Sequence, residues 1–214
     1  MSPSPRSECG PLSTTPRAGF YRTVIADPPW PEIGGGKIKR GADRHYPTMR
    51  VEEICALDVR SVVAADSHLY LWVTNNYLRA GFEVVDAWGF KYITTITWEK
   101  ERQGLGQYFR GTTEHVLFCR RGQPGYRTLP SGKRAQGRTS FITENGMWLN
   151  ERRLGRHSEK PPRIHEWAEA VSHGPYLEMF ARSSRPGWDS WGNEAVCVHD
   201  QQIDECPICP GDIP

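Results

Sequence analysis

Four consecutive residues, Asp27-Pro28-Pro29-Trp30, follow a short apolar run and combine a carboxylate, a rigid backbone and a flat aromatic side chain. Neither proline has a competing N–H group, so the Asp27 carboxylate and the Pro28 carbonyl are expected to remain available as hydrogen-bond acceptors. Two such acceptors beside the face of Trp30 are suited to holding a planar exocyclic amine, as in adenine or cytosine. The alternative interpretation is structural: a proline-rich turn that ends a strand, with Trp30 in the core.

An exocyclic amine of this kind is a poor nucleophile because its lone pair is conjugated into the ring. Hydrogen bonds from both of its N–H groups to fixed acceptors would let the nitrogen become pyramidal and direct the lone pair at an electrophile. The same acceptors would stabilise the charge that develops on nitrogen. Alignment of the reactants can contribute about 7–11 kcal/mol. The motif therefore predicts direct in-line group transfer to an amine, without a covalent enzyme intermediate.

The residues before this motif, Phe20–Ala26, form a β-branched run typical of a buried strand, and the two prolines end it. Asp27 is therefore expected at the carboxyl end of this strand, where open α/β sheets bind their ligands. Strand and helix patterns alternate along the rest of the chain, which predicts an α/β fold with helices on both faces of the sheet. The other predicted strands are Ser67–Val73, Lys91–Trp98, Glu114–Cys119, Thr139–Thr143 and Tyr176–Phe180, and the predicted helices run from a Thr48 cap to Leu57, from Asn75 or Asn76 to Trp88, and from Pro161 or Pro162 to Ser172.

Composition excludes several broad classes of protein. The 214 residues suit one domain, and 37% hydrophobic with 11% aromatic residues is too apolar for a disordered chain. The longest apolar stretch, Leu69–Val73, is too short to span a membrane, and the first residues contain no apolar run typical of a secretory signal. The six irregularly spaced cysteines indicate thiols in a reducing compartment, so a soluble intracellular protein that binds no membrane is expected. The expected divisions are a flexible segment 1–19, one domain 20–196, and an acidic, cysteine-containing tail 197–214.

Charge is unevenly distributed, although the net charge is only +2. Residues 120–163 contain eleven lysines and arginines against three acidic residues, whereas the tail from Glu194 onward has five acidic residues and no lysine or arginine. A local net charge of +8 favours a polyanionic partner. A solvated basic loop explains the charge equally well.

Seven segments of the chain, from about Tyr21 to Glu194, together resemble one known family. In order they are VIADPPW, HYPTM, LYLWVTN, ITWEK, GLGQYFRGTTEHVLFCRRG, HSEKP and YLEMFARSSRPGWDSWGNE. The family is that of the N6-adenine methyltransferases that use S-adenosylmethionine, in the branch that includes the catalytic subunit of the eukaryotic mRNA adenosine methyltransferase and many short bacterial and phage enzymes. The resemblance implies a Rossmann-like methyltransferase with a mostly parallel sheet and a permuted order of motifs.

The resemblance also implies roles for individual residues. Asp27-Pro28-Pro29-Trp30 would be the catalytic motif, in which Asp27 and Pro28 hold the target amine and Asp27 also lies near the methionine amine of the cofactor. Trp30 and Tyr46 would stack on the target base, which is worth about 1–3 kcal/mol per aromatic contact. The remaining implied cofactor contacts are Lys160 to the carboxylate, and Phe180, Arg182, Asn193 and Glu194 along the adenosine part.

Two glycine-rich loops are candidates for contact with nucleic acid. Gly34–Lys37 lacks the upstream glycine and the following Ser or Thr of a phosphate-binding loop, and a mobile lid over the target base fits this segment better. Lys37 and Lys39 in this loop could contact phosphates. Gly104–Gly111 lacks the third glycine of a dinucleotide fingerprint, so we interpret it as a second mobile loop in which Arg110 could contact nucleic acid.

The tail contains residue types that can bind zinc, namely Cys197, His199, Cys206 and Cys209. Only one C-x-x-C pair is present, and a Cys-x-His partner is unusual, so an acidic tail with incidental thiols is preferred and no metal is expected.

The predicted function is transfer of a methyl group from S-adenosylmethionine to N6 of adenine in nucleic acid. DNA is the favoured substrate because of the short chain and the basic segment, and a flipped adenine would be the target. RNA adenosine is the alternative substrate. A protein of another class, an inactive nucleic-acid-binding partner subunit, is the alternative function.

Overall fold

The computed structural model describes residues 16–31, 48–100, 108–142, 160–181 and 184–191. These residues form seven strands and four α-helices. The strands are β1 (Tyr21–Ala26), β2 (Val63–Thr74), β3 (Lys91–Glu99), β4 (Thr113–Arg121), β5 (Ser140–Ile142), β6 (Tyr176–Met179) and β7 (Trp188–Trp191). The helices are α1 (Val51–Cys55), α2 (Val59–Val62), α3 (Leu78–Ala87) and α4 (Arg163–Val171), and a 3-10 turn at Asn75–Tyr77 precedes α3.

The strands form one sheet in the order β5-β3-β4-β2-β1-β6-β7. Strand β4 runs antiparallel to both of its neighbours, and every other pair is parallel. This arrangement confirms the predicted α/β fold with a mostly parallel sheet. Ala26 lies beside Leu71 of β2 and Met179 of β6, so the strand order reverses at β1. Such a switch point is where doubly wound sheets bind ligands, and it lies directly next to Asp27.

Helices cover both faces of the sheet, as predicted. Successive residues of a strand point to opposite faces, so a strand buried on both faces is apolar throughout. Val24 and Ile25 of β1 accordingly lie in two different core clusters. The first cluster contains residues of α1, α2 and α3, and the second contains Ile164 and Ala168 of α4. None of the helices in the described ranges is both long and apolar enough to cross a membrane.

Helix α3 packs unusually close to the sheet because residue 81 has no side chain. A Cβ atom at Gly81 would lie 2.5 Å from Cγ1 of Val73 and 3.1 Å from Cδ1 of Leu117. Val73 is the second-last residue of β2, at the carboxyl end of this strand. The close approach therefore fixes α3 against the edge of the sheet that holds Asp27.

Two helix starts differ from the sequence prediction. Helix α1 begins at Val51 rather than after Thr48, because the Glu53 carboxylate accepts a hydrogen bond of 2.8 Å from the Arg50 N–H group. The residues Asn75 and Asn76 form the 3-10 turn, and α3 begins only at Leu78. Helix α2 and strand β7 were not predicted; each has four residues, too few for a period to be recognised in the sequence.

Candidate functional site

The Asp27-Pro28-Pro29-Trp30 motif lies at the carboxyl end of β1 and is held by backbone hydrogen bonds on both sides. The Asp27 N–H group donates to Met179 of β6 at 3.5 Å, and the Met49 N–H group donates to the Pro29 carbonyl at 2.9 Å. The Pro28 carbonyl accepts from the Trp30 N–H group at 2.8 Å. This last bond was not predicted from the sequence, and it occupies one of the two lone pairs of that oxygen. Within the described ranges no second donor contacts this oxygen, so one acceptor site on Pro28 is left for a ligand.

Asp27 forms an ion pair with Lys160, which lies three residues before the first residue of α4. The Lys160 ammonium donates to Oδ2 of Asp27 at 2.9 Å. Both side chains are mostly buried, with exposed fractions of 14% for Lys160 and 25% for Asp27. The sequence predicted that both residues belong to one site, and the structure brings them into contact. It also gives Lys160 a protein partner, whereas the resemblance implied a cofactor carboxylate.

A second carboxylate, Glu114, extends this ion pair into a chain of alternating charges. Glu114 lies at the start of β4, and its Oε2 is 3.4 Å from the Lys160 ammonium. Its Oε1 accepts a hydrogen bond of 2.7 Å from Lys100, which follows β3. The order is therefore Asp27, Lys160, Glu114, Lys100. Glu114 was not predicted as a site residue, although an acidic residue at the start of a buried strand is a signal for one.

The surroundings of Glu114 favour its ionised form. Burial acts to raise the pKa of Glu114, but the neighbouring ammonium groups of Lys160 and Lys100 outweigh it and hold the pKa below its ordinary value. Glu114 is therefore a negative charge near neutral pH and keeps both lysines in place. A buried charge is costly unless an opposite charge lies beside it. Removal of one member of this network would therefore leave the others uncompensated.

Indole rings line the α4 side of this charged network. The Lys160 ammonium lies 5.5 Å from the centre of the Trp72 ring, and the Lys100 ammonium lies 5.8 Å from that of Trp98. The two indoles meet edge to face at 6.0 Å, and both are buried. Cations over indole faces are stabilised by the ring quadrupole. The aromatic wall therefore holds both lysines in a partly desolvated setting.

Trp30 lies in the core, in contrast to the expected stacking on a target base. Its indole is 4% exposed, and its N–H group donates to the Trp72 carbonyl at 3.0 Å. One face stacks on Tyr77, with ring centres 5.5 Å apart and an interplanar angle of 21°. These contacts support the alternative interpretation, in which Trp30 is a core residue. Stacking of Trp30 on a target base stays a prediction, and the burial of its ring argues against it.

Phe180 follows β6 with a backbone conformation that is rare for a non-glycine residue. Its φ angle is +62°, in the left-handed region, which ends β6 at Met179 rather than at the predicted Phe180. The Phe180 N–H group donates to the Trp191 carbonyl, and the two rings lie 5.6 Å apart. Such strain persists only where surrounding contacts enforce it, and it clusters at ligand sites. The predicted role of Phe180 toward the cofactor remains a prediction.

A polar cluster around His115 connects three elements at the same edge of the sheet. The ring nitrogens of His115 lie 2.9 Å from Oδ1 of Asn75 and 3.1 Å from Oγ1 of Thr97. The Asn75 amide donates to the Thr113 carbonyl at 3.1 Å. Burial lowers the pKa of His115, although the nearby Glu114 charge acts to raise it. A neutral His115 therefore links the start of β4 to the 3-10 turn that follows β2 and to the last part of β3.

The described part of the basic stretch lies mainly at the other edge of the sheet. Because β4 is antiparallel to β2, Glu114 pairs with Thr74 and Arg121 pairs with Ser67. The chain then continues to Arg127, whose N–H group donates to Val171 at the end of α4. One strand length, roughly 20 Å, separates this basic edge from Asp27. The charge there is therefore remote from the candidate catalytic site.

Arg110 is exposed at the carboxyl edge of the sheet, before β4. Its predicted contact with nucleic acid stays a prediction. No group of three or more potential metal ligands occurs among the residues that the structure describes. The other predicted site residues lie outside the described residues: Lys37, Lys39, Tyr46, Arg182, Asn193, Glu194, and the tail residues Cys197, His199, Cys206 and Cys209.

Comparison with known proteins gives the same range of the chain as the sequence motifs. The family model described as MT-A70 matches residues 21–194. The type II methyltransferase M.MunI of Mycoplasma sp. is 29% identical over 205 residues, which cover 86% of this chain and 80% of that protein.

Two human proteins are similar over the same part of this chain. The N(6)-adenosine-methyltransferase catalytic subunit METTL3 is 26% identical over 196 residues, which cover 85% of this chain and 29% of METTL3. The N(6)-adenine-specific methyltransferase METTL4 is 26% identical over 190 residues, which cover 82% of this chain and 38% of METTL4. The chain thus spans most of the mycoplasma protein but less than two-fifths of either human protein.

Proposed function

The chain belongs to the MT-A70 family, as its motifs predicted, and on this premise we propose that it transfers a methyl group from S-adenosylmethionine to N6 of adenine in DNA. The observation that carries the proposal is the Asp27–Lys160 ion pair at the switch point of the sheet. M.MunI, of which the matched residues cover 80%, is named a type II methyltransferase. The relatives that are named as N(6)-adenosine-methyltransferases are matched over less than one-third of their own length. We therefore place DNA first and RNA second as the substrate.

The charges at the site fit the amino-acid end of S-adenosylmethionine. That end carries an ammonium and a carboxylate group, and the site presents the Asp27 carboxylate beside the Lys160 ammonium at 2.9 Å. Each charge of the ligand would meet an opposite charge of the protein. Phe180, with the neighbouring Arg182, would contact the adenosine part together with Asn193 and Glu194, as the family resemblance implies.

Lys160 can turn toward a ligand carboxylate without leaving Asp27 or Glu114 as an isolated buried charge. Its second partner, Oε2 of Glu114, is 3.4 Å away and is held in place through Lys100. Asp27 would then accept hydrogen bonds from the ligand ammonium or from the target amine. Exchange of partners within a network of fixed charges avoids the desolvation penalty that an unpaired buried charge would carry.

When bound, S-adenosylmethionine would supply an electrophilic methyl group on a positively charged sulfur. The chain's own contribution is to fix the target amine: the Asp27 carboxylate and the free lone pair of the Pro28 carbonyl accept its two N–H groups. The segment that carries both acceptors is anchored by backbone hydrogen bonds from Asp27 to Met179 and from Met49 to Pro29, so the acceptors require little reorganisation. The amine proton becomes acidic only after methylation, so no separate strong base is needed.

The intact charge network argues against the alternative of an inactive partner subunit. Such a subunit would need neither the Asp27–Lys160 contact nor the Glu114 side chain that holds Lys160. A surface that only binds nucleic acid gains nothing from two carboxylates placed around one mostly buried lysine, because carboxylates repel phosphates.

Expression in a bacterial host that lacks adenine methylation tests the proposal. We expect N6-methyladenine at a defined sequence in the host DNA, detected by modification-sensitive sequencing, and none with the Asp27→Ala variant expressed at the same level. Methylation confined to the host RNA would establish the second substrate. No modification of DNA or RNA, together with no binding of S-adenosylmethionine by calorimetry, would favour the inactive partner.

A further inference from the structure

Two adjacent aromatic side chains, Tyr108 and Phe109, are almost completely exposed. Their exposed fractions are 92% and 91%, compared with 60% for the next most exposed aromatic, Tyr126, among the described residues. Large apolar side chains exposed together mark sites of interaction. The exposed Arg110 follows them directly, which gives the segment a positive charge.

The segment lies at the catalytic edge of the sheet. It leads into β4 through Thr112, whose carbonyl accepts a hydrogen bond of 2.6 Å from the Lys100 N–H group. Next along the chain, Thr113 accepts from the Asn75 amide and Glu114 contacts Lys160. Phe109 is therefore five residues from a member of the charge network, which limits their separation to roughly 18 Å.

The other exposed aromatics among the described residues have neighbours that account for them. Tyr126 has the Arg134 guanidinium 4.3 Å from its ring centre. Phe82 and Tyr92 pack edge to face at 5.0 Å. Tyr126 also lies on the hairpin at the opposite edge of the sheet, where Thr128 pairs with Arg134. It thus resembles Phe109 in chemistry, an aromatic with an arginine nearby, but not in position.

We propose that Tyr108 and Phe109 stack on the bases that flank the target adenine, while Arg110 contacts the adjoining phosphate. This inference rests on the proposed function and adds the surface that holds the substrate strand. Aromatic faces bind bases of any sequence, and an arginine beside them supplies the charge that a nucleic acid backbone requires. Extraction of a base from a duplex sacrifices its stacking, and aromatic side chains that occupy the neighbouring steps compensate for that loss. Their position at the edge that holds Asp27 suits this task.

Two single-stranded probes separate stacking from charge. One is a fluorescein-labelled 20-mer of thymidylate, which has bases and phosphates but no adenine to methylate; the other is an abasic 20-mer with the same phosphates. We expect Tyr108→Ala and Phe109→Ala each to weaken binding of the thymidylate strand by about 5- to 100-fold in anisotropy titrations. Binding of the abasic strand should not change. Arg110→Gln should weaken both probes by a similar factor.

Tyr126→Ala is the matched control, since it removes an exposed aromatic beside an arginine from the other edge of the sheet. It should leave the affinity for both probes unchanged. Equal affinities of the wild type and the Tyr108→Ala/Phe109→Ala double variant for thymidylate would overturn the proposal. The proposal would also be overturned if sedimentation showed a dimer for the wild type and a monomer for the double variant. The segment would then bind a second copy of this chain.

Failure of the proposed function is measured separately. The wild type is assayed for transfer of labelled methyl groups to DNA from the unmethylated host. If the wild type transfers no methyl group but the variants lose thymidylate binding as predicted, the stacking surface stands and the proposed enzymatic function fails. If the wild type methylates DNA but the variants bind thymidylate as tightly as the wild type, the proposed function stands and the stacking surface is refuted.

Discussion

The Lys160 ammonium lies 2.9 Å from Oδ2 of Asp27, although the two residues are 133 positions apart in the chain. This contact joins the end of β1 to the start of α4 across the switch point of the sheet. It also brings together the residue expected to hold the target amine and the residue expected to hold the cofactor carboxylate. The two ligands would therefore meet at this ion pair.

Glu114 is expected to act as a positioning residue for Lys160. Glu114→Gln keeps the shape of the side chain and removes the charge that faces both lysines, so the KM for S-adenosylmethionine should rise about tenfold or more while the KM for DNA changes little. The variant should also be less stable in urea by about 2 kcal/mol at neutral pH. Lys100→Gln is the matched control: it loosens Glu114 from the side remote from Asp27 and should have a smaller effect on KM.

The pH dependence of stability provides a second readout for Glu114. Because its pKa is lowered in the folded protein, its contribution is fully present above the ordinary carboxyl pKa and is lost as the pH falls through the lowered value. The difference in unfolding free energy between the wild type and Glu114→Gln should therefore shrink in acid. If this difference in unfolding free energy stays constant down to pH 3, the assignment of Glu114 as an ionised carboxylate is contradicted.

Trp30→Phe distinguishes a core residue from a base-stacking residue. The change removes the buried N–H group that donates to the Trp72 carbonyl, which should lower stability by about 1–2 kcal/mol and the melting temperature by about 2–8 °C. Below that temperature the KM for DNA should match that of the wild type. Unchanged melting with a raised KM for DNA would instead place the indole against the target base.

Gly81→Ala tests the close packing of α3 on the sheet. The added methyl group would lie 2.5 Å from Cγ1 of Val73, a stiff β-branched side chain, so we expect a loss of about 1–3 kcal/mol in urea unfolding. Gly137→Ala is the control, since a Cβ there would lie 3.7 Å from the nearest atom of Trp167, an ordinary contact. Equal stabilities for the two variants would show that α3 can move away from β2.

His68→Gln should alter the response of stability to moderate acid. Burial lowers the pKa of His68 to about 4, and the nearby His173, Arg22 and Arg120 act in the same direction. Between pH 6.5 and pH 4 the unfolded chain binds a proton that the folded protein does not, so the wild type loses stability on acidification, by on the order of 3 kcal/mol at most. The variant lacks this loss. Parallel urea titrations at pH 7 and pH 4.5 measure it, and identical slopes with pH would contradict it.

Most of the fold could be predicted from the sequence because the strands are apolar enough to be recognised singly. The run before Asp27 and the alternation in β3 required no knowledge of their neighbours. By contrast, β7 has four residues and becomes a strand only by pairing with β6. Phe180 adopts a positive φ that its residue type disfavours, which only the surrounding chain can impose.

The site was predicted in part, for a similar reason. Asp27 and Lys160 could be assigned from motifs, but their mutual contact depends on the packing of α4 against the sheet. Glu114 went unrecognised because its role depends on Lys160, which is distant in the chain, and on Lys100, which follows the neighbouring strand β3. The burial of Trp30 depends on Tyr77 and Trp72, which sequence spacing does not bring together.

The most direct test of the account is methyl transfer by Asp27→Asn, which keeps the size of the side chain and removes its charge. With DNA from the unmethylated host and labelled S-adenosylmethionine, the single-turnover rate should fall by about a thousandfold. The melting temperature should stay within about 4 °C of the wild type, since Lys160 retains Glu114 as a partner. A folded Asp27→Asn variant that methylates DNA at the wild-type rate would contradict the central role of this carboxylate.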